Sequence, residues 1–136
     1  MSVSTQLSGC GNITAWMIDE YDPDNAFKML SNLISVGTIN PNAYSYAVIN
    51  YDGSNPVNNN KESIEHYALR FGSLKGQPMV LVANITAGYD GTGPRAAIKC
   101  LEKMGFVLNE SKIHSIMSKP IIKGVESPII KLNFYK

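Results

Sequence analysis

The residues whose types and spacing could do chemistry cluster in one stretch, Gly88-Tyr-Asp-Gly-Thr-Gly-Pro-Arg95. It follows the apolar run Met79 to Val82 and precedes Ala97, Ile98, Leu101 and Met104, which recur at helical spacing. Gly88, Gly91 and Gly93 permit backbone angles closed to other residues. Pro94 suits the first helical position, where its missing N–H has no helical partner anyway. The pattern reads as strand, glycine loop, helix. Amides at such a helix start, with the helix dipole behind them, favour an anion, most often phosphate. Arg95, read at the second helical position, would add a bidentate contact beside the Gly91 and Gly93 amides. Asn84 and Thr86 at the strand end offer further hydrogen bonds, and Tyr89, Asp90 and Thr92 complete the loop. Tyr44 and Tyr46 share one side of an apolar strand over 44–51, where they could stack a base, although core packing is the commoner use of such a pair.

Several other chemistries lack their residues. No Gly-Lys-Ser/Thr follows the glycines, so nucleoside-triphosphatase chemistry is disfavoured. Neither His66 nor His114 is followed two residues on by Ser or Thr, which removes a two-histidine phosphoesterase, and no usable zinc spacing is present. Cys10 lies between two glycines with no nearby base, and reads as a turn residue. Asp19, Glu20, Asp22 and Asp24 lack the glycine and closing glutamate of a calcium loop and read as a solvated, helix-capping cluster. No catalytic residue, cofactor or metal is assigned. Binding without turnover requires only shape, helix-end amides, an aromatic face and one cation.

The elements that must position the loop can be read along the chain. Residues 3–7 and 13–18 flank a turn-rich cluster and suggest a hairpin. Asp22-Pro23 opens a helix whose apolar residues Ala26, Phe27, Leu30, Leu33 and Ile34 face one way until Gly37 stops it. Residues 52–60, rich in Asn, Gly and Pro, read as a loop, and Asn60 caps a second helix that carries Ile64, Tyr67, Ala68 and Phe71 up to Gly72. The run Phe106-Val-Leu108 is expected to form a strand after the glycine-loop helix, giving a parallel crossover. Residues 109–118 fit either a short helix capped by Asn109 or a strand. Pro120-Ile-Ile-Lys123 and Pro128-Ile-Ile-Lys131, either side of Gly124-Val-Glu-Ser127, suggest a terminal hairpin or paired edge strands. The fold class is α+β or α/β, a single domain over 1–136 with a mixed β-sheet, three principal helices and terminal hairpins.

Composition agrees with one such domain. The chain has 136 residues, 44% of them hydrophobic, enough for one core. A net charge of +1 gives no field to hold a nucleic-acid polymer, and the lysines of the last third are scattered. Two cysteines argue for no disulfide framework, and no run reaches the roughly 18 apolar residues of a membrane span. The expected location is the cytoplasm, with no membrane partner.

Part of the loop resembles the dinucleotide fingerprint of short-chain dehydrogenases and other Rossmann proteins. Ala87, Gly91 and Gly93 stand at its small-residue positions and Glu110 stands about where an acidic residue would meet a ribose. Pro94 departs from that pattern, and the chain leaves no room for that family's catalytic arrangement, so a mononucleotide-sized site is what survives. The loop Gly88 to Arg95 on a small, nearly neutral α/β chain also resembles phage anti-defence proteins that sequester cyclic ADP-ribose or cyclic-nucleotide immune signals, the Thoeris anti-defence sponge type. That resemblance implies a phosphorylated nucleotide-like ligand bound without turnover, a homo-oligomer with pockets between subunits, and residence in the host cytoplasm. The competing expectations are a small nucleotide-processing enzyme and a structural or protein-interaction subunit.

Overall fold

A computed structural model describes residues 3–7, 9–20, 22–50, 68–83, 85, 87–118, 121–122, 125–126 and 131–136. Strands β1 (Val3–Leu7) and β2 (Ile13–Ile18) form the expected antiparallel hairpin, with a register irregularity between Gln6 and Leu7. Helix α1 (Pro23–Ser35) begins where Asp22 Oδ1 accepts the Asp24 N–H at 3.0 Å and Pro23 occupies the first turn. It ends in a paired 6→1 and 5→2 turn: Thr38 N–H donates to Leu33 O and Gly37 N–H to Ile34 O, with Gly37 at φ +83°. A 3-10 turn (Pro41–Ala43) then leads into β3 (Tyr46–Asn50).

The remaining strands are β4 (Leu69–Gly72), β5 (Met79–Val82), the short β6 (Ile121–Ile122) and β7 (Val125–Glu126), and β8 (Lys131–Tyr135). The remaining helices are α2 (Thr92–Lys103) and α3 (Glu110–Met117). One six-stranded sheet has the order β1-β2-β5-β4-β3-β8, in which β2 and β5 run parallel and every other pair is antiparallel. β6 and β7 form a separate two-stranded ribbon. The protein is therefore an α+β domain with a mixed sheet and, among the described residues, three helices.

Alternation along the strands makes two unequal faces. Ile18, Val80, Val82, Leu69, Phe71, Ala47, Ile49 and Phe134 face the helices and share one buried cluster with Ala26, Leu30, Ala97, Leu101, Met104 and Ile116. Ala15, Leu81 and Ala83 form a smaller cluster on the opposite face, with Met17 and Met79 against it. Among the described residues, no helix is long and apolar enough to cross a membrane.

Three expectations are corrected. The helix expected to run to Phe71 is, over Leu69–Gly72, the strand β4; Leu69 and Phe71 alternate into the core opposite Val82 and Val80 of β5. Its first part, with His66, lies outside the described residues, as does the 52–60 loop. Residues 106–108 form no strand. Gly105, at φ +91°, donates its N–H to Glu102 O and Phe106 donates to Leu101 O, so the run is the end of α2 turning back into the core. The chain then enters α3, capped by Asn109 Oδ1 on the Lys112 N–H at 2.9 Å, and the parallel crossover is not built. The terminal hairpin pairs Ile121–Ile122 with Val125–Glu126, so part of the expected turn is itself a strand; β8 instead lies against β3 as the sheet edge.

Candidate functional site at the start of helix α2

The glycine loop joins β5, in the sheet interior, to α2 on its helical face. Ile85 and Ala87 sit in the core below it, while Asn84 and Thr86 lie outside the described residues. Gly88 adopts φ +96° and donates its N–H to Ile116 O at 2.8 Å, which ties the loop to the end of α3. An L-residue at that angle is strained, so glycine is required by the bend.

Helix α2 starts two residues earlier than the sequence suggests. Gly91 is its cap residue, in extended backbone and with no side chain to cap the helix; Thr92 and Gly93 are its first two residues. Pro94 is thus third, still within the stretch where an N–H has no helical acceptor. Arg95 is fourth rather than second, and its own N–H already donates to Gly91 O at 3.2 Å. The Thr92 and Gly93 amides, with that of the Gly91 cap, are therefore donors without a helical acceptor. Gly91 contributes close approach: a Cβ there would meet the Tyr89 ring at 2.5 Å. Gly93 and Pro94 are buried against the domain.

Two side chains frame this helix start. Arg95 folds back and donates from Nε and Nη2 to Asp90 Oδ1, at 3.2 and 2.8 Å, an ion pair largely open to solvent on both sides. The tether holds the guanidinium beside the helix start and half neutralises it. Tyr89, 50% exposed, lays its ring over the Gly91 backbone and is the aromatic surface next to the amides.

The other expected aromatics do not join them. Tyr44 precedes the strand, is 2% exposed, and donates its hydroxyl to Pro78 O at 2.6 Å. Burial raises its pKa, and it offers no face to a ligand. Tyr46 begins β3 on the sheet face away from the helices, where its ring occupies the space a side chain on Gly72 would need. Both tyrosines are structural in position. Of the described candidates, Gly88, Tyr89, Asp90 and Gly91 lie in the loop and Thr92, Gly93 and Arg95 in the first turn of α2 that follows it.

The cysteines also separate. Cys100 lies fully buried on α2, and its thiol is pushed up to about 12 by burial, with Lys99 offsetting part of that. Such a thiol is inert. Cys10 is exposed at the hairpin tip. Among the described residues, no group of three or more His, Cys, Asp or Glu is placed to hold a metal.

Two clefts lined by described residues lie away from the loop. One, of about 340 Å³, runs along α1 between Glu20, Asn25, Lys28, Met29 and Asn32. The other, of about 400 Å³, lies at the far end of α2 and includes Lys112 and Lys136. The second was not legible as a site, because its lysines, on the first turn of α3 and just after β8, are far apart in sequence.

Fold and loop together define a two-layer α+β domain whose sheet passes into its second helix through a glycine turn with an uncapped helix start. Compared with protein-family models, curated proteins and solved structures, the chain finds no match in any of the three.

Proposed function

We propose that the protein binds a phosphorylated, nucleotide-derived small molecule at the start of α2 and holds it without turnover. The observation that carries this reading is the uncapped helix start at Gly91, with the Arg95 guanidinium drawn back to it by Asp90. A phosphate there would accept from the Thr92 and Gly93 amides, complement the helix dipole, and compete with Asp90 for the guanidinium edge. The Tyr89 ring lies where a base or ribose could pack.

The resemblance of Gly88 to Arg95 to the anti-defence sponges narrows the ligand to cyclic ADP-ribose or a cyclic-nucleotide signal. On that reading the protein inhibits host immune signalling in the host cytoplasm and works as a homo-oligomer.

The test is to incubate the protein with labelled cyclic ADP-ribose and, separately, a labelled cyclic oligonucleotide, remove free ligand, denature by heat, and chromatograph what is released. Intact ligand is the expected result. Converted ligand would make the protein a nucleotide-processing enzyme, and no retention of either ligand overturns the proposal.

A further inference from the structure

The opposite end of α2 carries a second cationic group, built differently from the first. The turn at Gly105 reverses the chain toward α3, and the end of β8 lies across it. Between them lies the cleft of about 400 Å³ lined by Gly105, Val107, Asn109, Lys112, Tyr135 and Lys136. That volume is in the range of small-molecule sites.

Lys136 is fixed at three points. Its main-chain N–H donates to Ser45 O at 3.1 Å, its Nζ donates to Pro41 O at 2.8 Å, and Nζ lies 5.1 Å from the centre of the Phe106 ring. An ammonium held this way has lost much of the rotamer freedom that makes surface lysines poor anchors. Desolvation lowers its pKa, as expected of a cation that has given up hydration. Gly105 permits the approach, since a Cβ there would lie 3.1 Å from Nζ. Lys112, on the first turn of α3, lines the same cleft, and among the described residues no Asp or Glu side chain does. Two exposed apolar surfaces complete it: Val107, 86% exposed, and Tyr135, 69% exposed.

We infer that this cleft binds a small aromatic acid, with its carboxylate or phosphate between Lys112 and Lys136 and its ring against Tyr135 and Val107. The site is independent of the one at the start of α2.

The test is an amide-resolved NMR titration of the 15N-labelled protein with phenyl phosphate, with benzoate and with inorganic phosphate. Saturable shifts are expected at Gly105, Val107, Asn109, Lys112 and Lys136 with at least one of the aromatic acids; whichever binds more tightly identifies the head group. Inorganic phosphate should bind this cleft several-fold more weakly. Lys112→Ala should weaken the aromatic acid by roughly tenfold, the worth of one charge-assisted contact, while responses at Thr92 and Gly93 stay as they were. Lys136→Gln, which keeps a donor for Pro41 O, should weaken it similarly. The inference is overturned if neither aromatic acid saturates the cleft, if inorganic phosphate binds it equally well, or if both variants retain full affinity.

Discussion

The two ends of helix α2 solve opposite problems. At its start there is no side-chain cap, the first amides have no helical acceptor, and the nearest ion pair, Asp90–Arg95, is exposed. At its end the Leu101 and Glu102 carbonyls accept from the Gly105–Phe106 turn, Phe106 packs on Phe71 with ring centres 5.9 Å apart, and a lysine closes over it. The difference teaches where this fold keeps its stability. The end of α2 is joined to the middle of the sheet, while the start is tied down by backbone geometry and by burial of Gly93 and Pro94. Side chains at the start can change at little cost to the core, which is the condition under which a surface is free to serve a ligand.

The sharpest way to break this contrast is Phe106→Ala. Removing a buried aromatic should cost about 3–5 kcal/mol, read as a lower urea midpoint, and should loosen Lys136 as well. A loss below about 1 kcal/mol, within the range of a surface substitution, would mean that the end of α2 is no anchor.

The next effect is alkaline. Cys100 titrates near 9 when unfolded and near 12 when buried, so the folded state holds its proton longer. Its contribution to stability is therefore complete below pH 9 and is lost as pH rises from 9 toward 12. Urea midpoints measured across pH 8 to 11 should fall, and Cys100→Ala should flatten that fall. In the native protein at pH 8, iodoacetamide should label exposed Cys10 and spare Cys100; equal labelling contradicts the burial.

Gly88→Ala places a Cβ at φ +96° and should cost about 1–2 kcal/mol while leaving the N–H to Ile116 O in place. Smaller still on stability is Arg95→Ala. Exposed ion pairs are worth about 0–1 kcal/mol, so its melting temperature should barely move while phosphate-ligand affinity drops roughly tenfold. Asp90→Asn sharpens the point, because freeing the guanidinium should tighten binding by a few-fold. If Asp90→Asn weakens binding, the carboxylate contacts ligand and the orientation of Arg95 at the site is wrong.

Much of this was legible in the sequence where signals are local. Asp22-Pro23 and Gly37 mark the ends of α1, and the hairpin of β1 and β2 follows from two short runs around a turn cluster. The mixed sheet with three helices follows from the same kind of reading. β4 was not legible, because Leu69 and Phe71 fit a helical stripe as well as strand alternation; pairing with β5 and β3, distant in sequence, decides it. Phe106-Val-Leu108 looks like a strand because apolar content does not reveal that Gly105 has already turned Phe106 into the core.

At the site, the glycines and Arg95 were legible as a cluster. The register was not, since Gly91 caps α2 with no side chain to signal the start, and Pro94 marked it two residues late. Tyr44 looked like a platform because its hydrogen bond to Pro78 O crosses far in sequence. The Lys112–Lys136 cleft escaped for the same reason, being assembled from the α2–α3 turn, the start of α3 and the end of β8.

The proposed function holds a phosphorylated nucleotide at the start of α2. Its most direct test follows the amide resonances of Thr92 and Gly93 while 15N-labelled protein is titrated with cyclic ADP-ribose and then with a cyclic oligonucleotide. Saturable shifts of both amides are expected with one of these ligands, displaced to roughly tenfold higher ligand concentration in Arg95→Ala. Shifts confined to Gly105, Asn109 and Lys112, or no saturable shift with either ligand, would contradict it.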